Sequence, residues 1–119
     1  MRRIGIVALV LMLTASGLAV AGAYDKYSVA GWKIVGVWQQ NYGIDVQNVV
    51  ESKEGEYRLR YVTSKDPRKV DDPSKLKKAG NKYTIVGSRF GDYFVVEGTQ
   101  LKTHDKDGYI ETLKPVPGG

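Results

Sequence analysis

No cysteine occurs anywhere in the sequence. Disulfide stapling, thiolate catalysis and cysteine-based metal clusters are therefore excluded, and a small exported domain without disulfides must hold together by packing alone. Histidine is nearly as scarce. A Ser-His-Asp triad would have to use His104, the one histidine, and no serine lies in a G-x-S-x-G elbow. Charge of one sign is also in short supply: 18 Lys and Arg stand against 13 Asp and Glu. That balance favours solubility and some attraction to acidic surfaces, but it falls far short of a nucleic-acid footprint. Long apolar runs are missing except at the N-terminus.

There, Met1-Arg2-Arg3 is followed by ten residues, Ile4 to Leu13, with no polar side chain, and then by small residues ending in Ala21-Gly22-Ala23. This is the layout of a secretory signal peptide with a small-x-small cleavage site. The segment is long enough to cross a bilayer uncleaved, but Thr14, Ser16, Gly17 and Gly22 weaken its second half, and no cysteine offers a lipid anchor. Residues 1–23 are expected to be a cleaved leader and 24–119 a single β domain, periplasmic or secreted. The absence of cysteine favours the periplasm. Contact with the membrane is expected only through an uncleaved leader.

From Trp32 onward the pattern alternates with period two. Trp32, Ile34, Gly36 and Trp38 fall on one face of a first strand, so an unbroken strand points both indoles the same way. Ile44 to Ser52 reads as a second strand. Glu56 to Thr63 reads as a third, with Tyr57, Leu59 and Tyr61 inward and Arg58, Arg60 and Val62 outward. After a charged stretch, strands resume over 82–88, 92–97, 100–104 and 109–113, joined by "RFG", "GT" and "DKDG", all of which suit hairpins. In the charged stretch, Asp72-Pro73 is an N-cap followed by a helix-starting proline and Gly80 is a stop signal, predicting a short helix over 73–79 with Leu76 inward. The expected fold is all-β: an antiparallel meander of about seven strands closing into a small barrel or flattened sandwich, with that helix in the central loop. Tyr83, Ile85, Tyr93 and Val95 join the third strand's apolar face in the predicted core, which leaves at most a shallow mouth.

Gly36-Val37-Trp38 is a G-x-W at the head of a meander that continues through "EGEYRLRYV" into short hairpins. In this it resembles the lipocalin-like (calycin) small barrels. The resemblance implies a tryptophan packed at the closed end, here Trp38, with a late basic residue such as Lys114 over it. Large aromatics dominate cores, so Trp38 is expected to anchor the core. Trp32, beside Gly31 at the strand's beginning, is a candidate ligand platform.

Patterns that carry catalytic chemistry are few. "THDKDGYIETLK" aligns only in part with a calcium loop: Asp105 and Asp107 fit, but Lys114 stands where the bidentate acid is required. Asp92 and Glu97 face opposite ways on a strand and form no acid pair. No catalytic, cofactor or metal residues are assigned. The remaining signal is basic: with Trp32, the candidate binding surface is Arg58, Arg60, Lys65, Arg68, Lys69, Lys75, Lys77 and Lys78. Such residues often only protect a sheet edge, or they can meet an acidic protein or envelope component. The expectation is a non-enzymatic binding protein of the bacterial envelope: a protein-binding factor of inhibitor, immunity or accessory type, or alternatively a lipocalin-like carrier of a small apolar ligand. No nucleic-acid partner is expected.

Overall fold

The computed structural model describes residues 24–116; the leader expected over 1–23 lies outside the described residues. A 3-10 turn, Asp25–Tyr27, precedes eight strands: β1 (Lys33–Gln39), β2 (Gln47–Lys53), β3 (Glu56–Val62), β4 (Ser74–Ala79), β5 (Lys82–Ile85), β6 (Tyr93–Glu97), β7 (Gln100–Asp105) and β8 (Gly108–Pro115). Every neighbouring pair is antiparallel, and the order β1 to β8 closes into a barrel. Four of the connections are two-residue hairpins built on residues that tolerate a left-handed backbone or a tight turn. Between β2 and β3, for instance, Glu54 (φ 48°) and Gly55 (φ 84°) both take positive φ.

The predicted helix is instead β4, which is why the count is eight and not seven. "SKLKKA" alternates Lys75, Leu76, Lys77, so it serves as a strand with Leu76 buried inside the barrel. Gly80 (φ 63°), read as a helix stop, is the hairpin residue that turns β4 into β5. Local capping signals favoured a helix, but β3 presents a row of unpaired backbone groups on its far side, and pairing them with Ser74 to Leu76 satisfies both strands.

The barrel is filled from its walls. Trp38, Val50, Leu59 and Leu76 meet Tyr83, Phe94, Leu101 and Leu113 in one interior cluster. Tyr83 stacks on Phe94 at 5.1 Å between ring centroids, and Tyr57 meets Tyr83 edge-on at 5.7 Å. The inward assignment of Tyr57, Leu59, Tyr83 and Ile85 holds. On β6 the phase is reversed: Phe94 and Val96 point inward, in place of Tyr93 and Val95. A one-residue slip moves every side chain of a strand to the opposite face, and with "DYFVVE" apolar on both faces the sequence leaves that phase undetermined.

A second cluster lies on the outside of β1, β2 and β3, where the N-terminal segment folds over the sheet. Tyr24 and Tyr27 cover Val37, Val49 and Val62, with Ile34 and Val116 at the margin. This is why β1 and β2 are apolar on both faces.

The eight strands give the barrel two unlike ends. At one end lie the hairpins 53–56, 79–82 and 97–100, and Trp38 plugs the interior there, its indole Nε1 donating to Thr99 O at 3.0 Å. Lys114 does not cover it. It stands exposed on β8 opposite Gln39, one residue from Leu113 and so on the other face of the sheet. At the other end lie the loops 40–46, 63–73, 86–92 and the hairpin 105–108, and that end is open.

Candidate functional site: the open end of the barrel

The basic residues singled out from the sequence are only partly brought together: Arg58 and Lys75 are register partners on the outer face of β3 and β4, with Trp32 over Arg58, while Arg60 is buried. β1 carries a bulge: Ile34 pairs with Glu51 and Gly36 with Val50, leaving Val35 as the extra residue. The extra residue inverts the alternation, so Trp38 points into the barrel while Trp32 shares the outer face with Ile34. There the Arg58 guanidinium stacks on Trp32 at 3.8 Å from the ring centroid, with Lys53 Nζ at 5.9 Å. The expectation of two parallel indoles fails at that one residue.

Arg60 departs furthest from its expected place. Its outward direction is as expected, but its side chain is 0% exposed. The N-terminal segment and the 63–73 loop close over it. Arg60 Nε donates to Glu51 Oε2 at 2.9 Å, Nη1 donates to Pro67 O at 3.0 Å and Lys69 O at 3.1 Å, and Nη2 donates to Tyr27 O. Arg58 Nε donates to the same Glu51 oxygen at 2.6 Å. Glu51 is fully buried, and a carboxylate there needs such partners. The two arginines therefore clamp the coverings of β2 and β3 in place. Arg68 adds a weaker tie, donating to Asp25 O at 3.2 Å.

The other basic residues divide among three places. Lys65 and Lys69 are exposed in the 63–73 loop, while Lys75 and Lys77 are exposed on the outside of β4. Lys78 lies at the plugged end, its Nζ 5.8 Å from the centroids of both Tyr57 and Tyr83. An open groove runs beside Glu56, Tyr57 and Lys75 to Lys78.

The sequence suggested at most a shallow mouth and did not indicate what lines it. A half-open cleft of about 290 Å³ enters the barrel at its open end. Its floor is apolar: Leu59, Phe94, Leu101 and Leu113. Its walls are polar, with Asn48 from β2, Tyr61 from β3, Asp92 ahead of β6, Thr103 from β7 and Glu111 from β8. Asp92 Oδ2 accepts from Ser88 Oγ at 2.6 Å, and Glu111 Oε1 accepts from Asn41 Nδ2 at 3.1 Å. Thr103 Oγ1 donates to Glu111 O at 3.2 Å. Tyr61, 50% exposed at the lip, has its phenol pushed up by desolvation and, secondarily, by the charge of Asp92. Inward parity is the signal that could have revealed Glu111: it lies two residues from Leu113 on the same face of β8.

His104 borders the cleft but turns its ring outward. It stacks on Tyr93 at 4.8 Å and 2° between planes, meets Tyr109 edge-on at 5.8 Å, and Lys82 Nζ caps the far side of Tyr93 at 4.3 Å. Glu97 is far from this end and pairs with Lys102 at 3.1 Å. No group of three His, Asp or Glu side chains able to hold a metal ion occurs among the described residues.

Around the cleft the loops expose apolar side chains. Tyr42 and Ile44 on the β1–β2 loop, Phe90 on the β5–β6 loop, and Tyr109 and Ile110 at the start of β8 are all more than half exposed, whereas Val86, also exposed, faces the groove beside Tyr57 and Lys75 to Lys78. The 40–46 and 63–73 loops are tied together through Asp45, which accepts from Ser64 Oγ at 2.8 Å and from Gln47 Nε2 at 3.1 Å; these bonds hold its carboxyl below the usual range.

No family model, curated protein or solved structure matches the chain.

Proposed function

We propose that the protein is a non-enzymatic binding module of the periplasm or the secreted fraction, and that it engages a protein partner through the open end of its barrel. An inhibitor, an immunity-type protein or an accessory of an envelope assembly fits this description. One observation carries the reading: Tyr42, Ile44, Phe90, Tyr109 and Ile110, five of the exposed large apolar side chains, lie on the loops and strand start at the open end, beside a walled slot, while the opposite end is plugged by Trp38. Isolated exposed hydrophobics are ordinary, whereas a contiguous set rimming a polar depression marks an interaction site. The basic residues carry less of this reading than the sequence suggested, because Arg60 is consumed in holding the fold.

A carrier of a small apolar ligand is the second reading, favoured by the apolar floor of the cleft. At about 290 Å³ the cleft stands at the bottom of the range of small-molecule sites, roughly 300–1,000 Å³. Asp92 and Glu111 on its walls suit an apolar guest poorly.

The test is affinity capture from an extract of the producing cell, using the wild type and a rim variant, Tyr42→Ser with Ile44→Ser and Phe90→Ser. These three side chains are exposed, so the melting temperature should hold. A partner retained by the wild type and lost by the variant is the expected result; identical retention by both would remove the open end as the binding surface. The N-terminus of the exported protein, read by mass spectrometry, should lie at or near Tyr24.

A further inference from the structure

The protein as a whole is basic, yet the cleft at the open end is lined by two carboxylates, Asp92 and Glu111, and by no lysine or arginine. Neither carboxylate forms an ion pair among the described residues, where the ion pairs are those of Glu51 with Arg58 and Arg60 and of Glu97 with Lys102. The adjoining basic residues, Arg89 and Lys106, are exposed on neighbouring loops and do not line the cleft. Two negative charges in a half-enclosed recess, with a low-dielectric floor behind them, focus their field toward the opening.

A second, independent feature marks the same recess. Asn48 is only 4% exposed; its Oδ1 accepts from Gln40 Nε2 at 2.8 Å, and its Nδ2 has no acceptor among the described residues. That nitrogen is not sealed off from the cleft that Asn48 lines, so it is a donor held ready in a buried setting. An amide donor so placed is free to donate to a group that enters the cleft.

We infer that the cleft is a receptor for one cationic side chain, lysine or arginine, carried on a loop of the partner protein. The inference rests on the protein-binding reading and supplies the chemistry of its central contact. The cationic head lies between Asp92 and Glu111, where charge-assisted hydrogen bonds are strongest. The Tyr61 ring at the lip offers a face to the same cation, and Asn48 Nδ2 donates to a carbonyl of the loop that carries it. The volume accommodates a single long side chain and little more. A free metal ion fits poorly, since hard cations take six or more oxygen ligands and the cleft offers two carboxylates, one from the loop ahead of β6 and one from β8. A soluble amine fills the slot but leaves the apolar rim uncovered, whereas a protein loop covers both.

The experiment is an NMR titration of the isotope-labelled exported protein with blocked tripeptides: acetyl-Gly-Arg-Gly-amide and its Lys, Ala and Glu counterparts. The expected result is saturable shifts at Asn48, Tyr61, Asp92, Thr103 and Glu111 with the Arg or Lys peptide, and none with Ala or Glu. The double variant Asp92→Asn with Glu111→Gln should weaken that binding by roughly tenfold or more. Salt at about 1 M, where screening acts over ~3 Å, should weaken it in the wild type. Equal shifts with the Ala peptide, no saturable shift with either cationic peptide, or unchanged binding by the double variant would each overturn the inference. If the double variant does not fold, the peptide series on the wild type decides alone. Partner capture that survives the carboxylate changes but not the rim changes would sink the cation slot and leave the protein-binding reading standing.

Discussion

The benzo edge of the Trp38 indole lies against the backbone of Gly36. A Cβ placed on Gly36 would come within 2.3 Å of Trp38 Cη2 and 2.8 Å of Cζ2 and Cζ3. The glycine of the G-x-W is therefore a steric requirement of the plug. Gly36→Ala should force the indole out of position and cost about 1–3 kcal/mol, the usual range for overpacking. Trp38→Ala should cost roughly 3–5 kcal/mol. Chemical denaturation checks both, and the two losses should not add, because each removes the same contact.

Arg60→Ala should destabilise by about 3–5 kcal/mol, since it breaks a buried pair and strips donors from the carbonyls of Tyr27, Pro67 and Lys69. A buried ion pair can often be replaced by apolar residues at little cost, but here Glu51→Leu with Arg60→Met should recover little, because those carbonyls still lose their partner. Arg58→Ala should be milder, as Arg58 keeps part of its surface in solvent. Urea midpoints of the series decide; an Arg60→Ala loss under about 1 kcal/mol would mean that Arg60 does not clamp the coverings.

Stability should fall on the alkaline side. Burial raises the phenols of Tyr24, Tyr27, Tyr61 and Tyr83 above 10.0. The folded state thus keeps protons that the unfolded state releases. The contribution is complete below pH 10 and declines as pH rises beyond it. Melting temperatures between about pH 9 and 11.5 should show the decline, and Tyr83→Phe should make it shallower.

Asp45 acts in the opposite sense. Bonds from the Gln47 and Ser64 side chains lower its carboxyl below 3.8. Its contribution is present above that value and is lost as pH falls through the folded one. Asp45→Asn should flatten the acid limb of the melting curve and increase hydrogen exchange in the 40–46 and 63–73 loops, which Asp45 joins.

How much of this was legible in the sequence follows from how local each determinant is. The β3 pattern "EYRLRYV" alternates cleanly: Tyr57 and Leu59 pack inward as read, while Tyr61 keeps their face but stays half exposed at the lip. The hairpin glycines mark turns that depend on backbone geometry alone. Legibility ended where a distant segment decides. Val35 is a bulge because β2 pairs around it. Ser74 to Ala79 is a strand because β3 and β5 flank it. β6 has apolar residues on both faces, so only its neighbours set its phase. Arg60 reads as a surface residue until the N-terminal segment and the 63–73 loop cover it. The cleft draws its walls from five separate elements that no short motif could join.

The β1–β8 junction carries a consequence for association between molecules. Closure there rests on Trp38 with Pro115, Gln39 with Lys114, and a bond from Val116 N to Val37 O at 2.9 Å. Beyond these few bonds the first half of β1 extends past its partner and presents backbone groups of the kind that recruit a strand from another molecule. The Val35 kink and the flanking Lys33 blunt that edge, the first by twisting it and the second by its charge. A chain that straightens the kink by deleting Val35 and replaces Lys33 with an apolar residue would keep most of its interior yet lose this protection. Its failure would then be concentration-dependent fibre or aggregate growth and not simple unfolding.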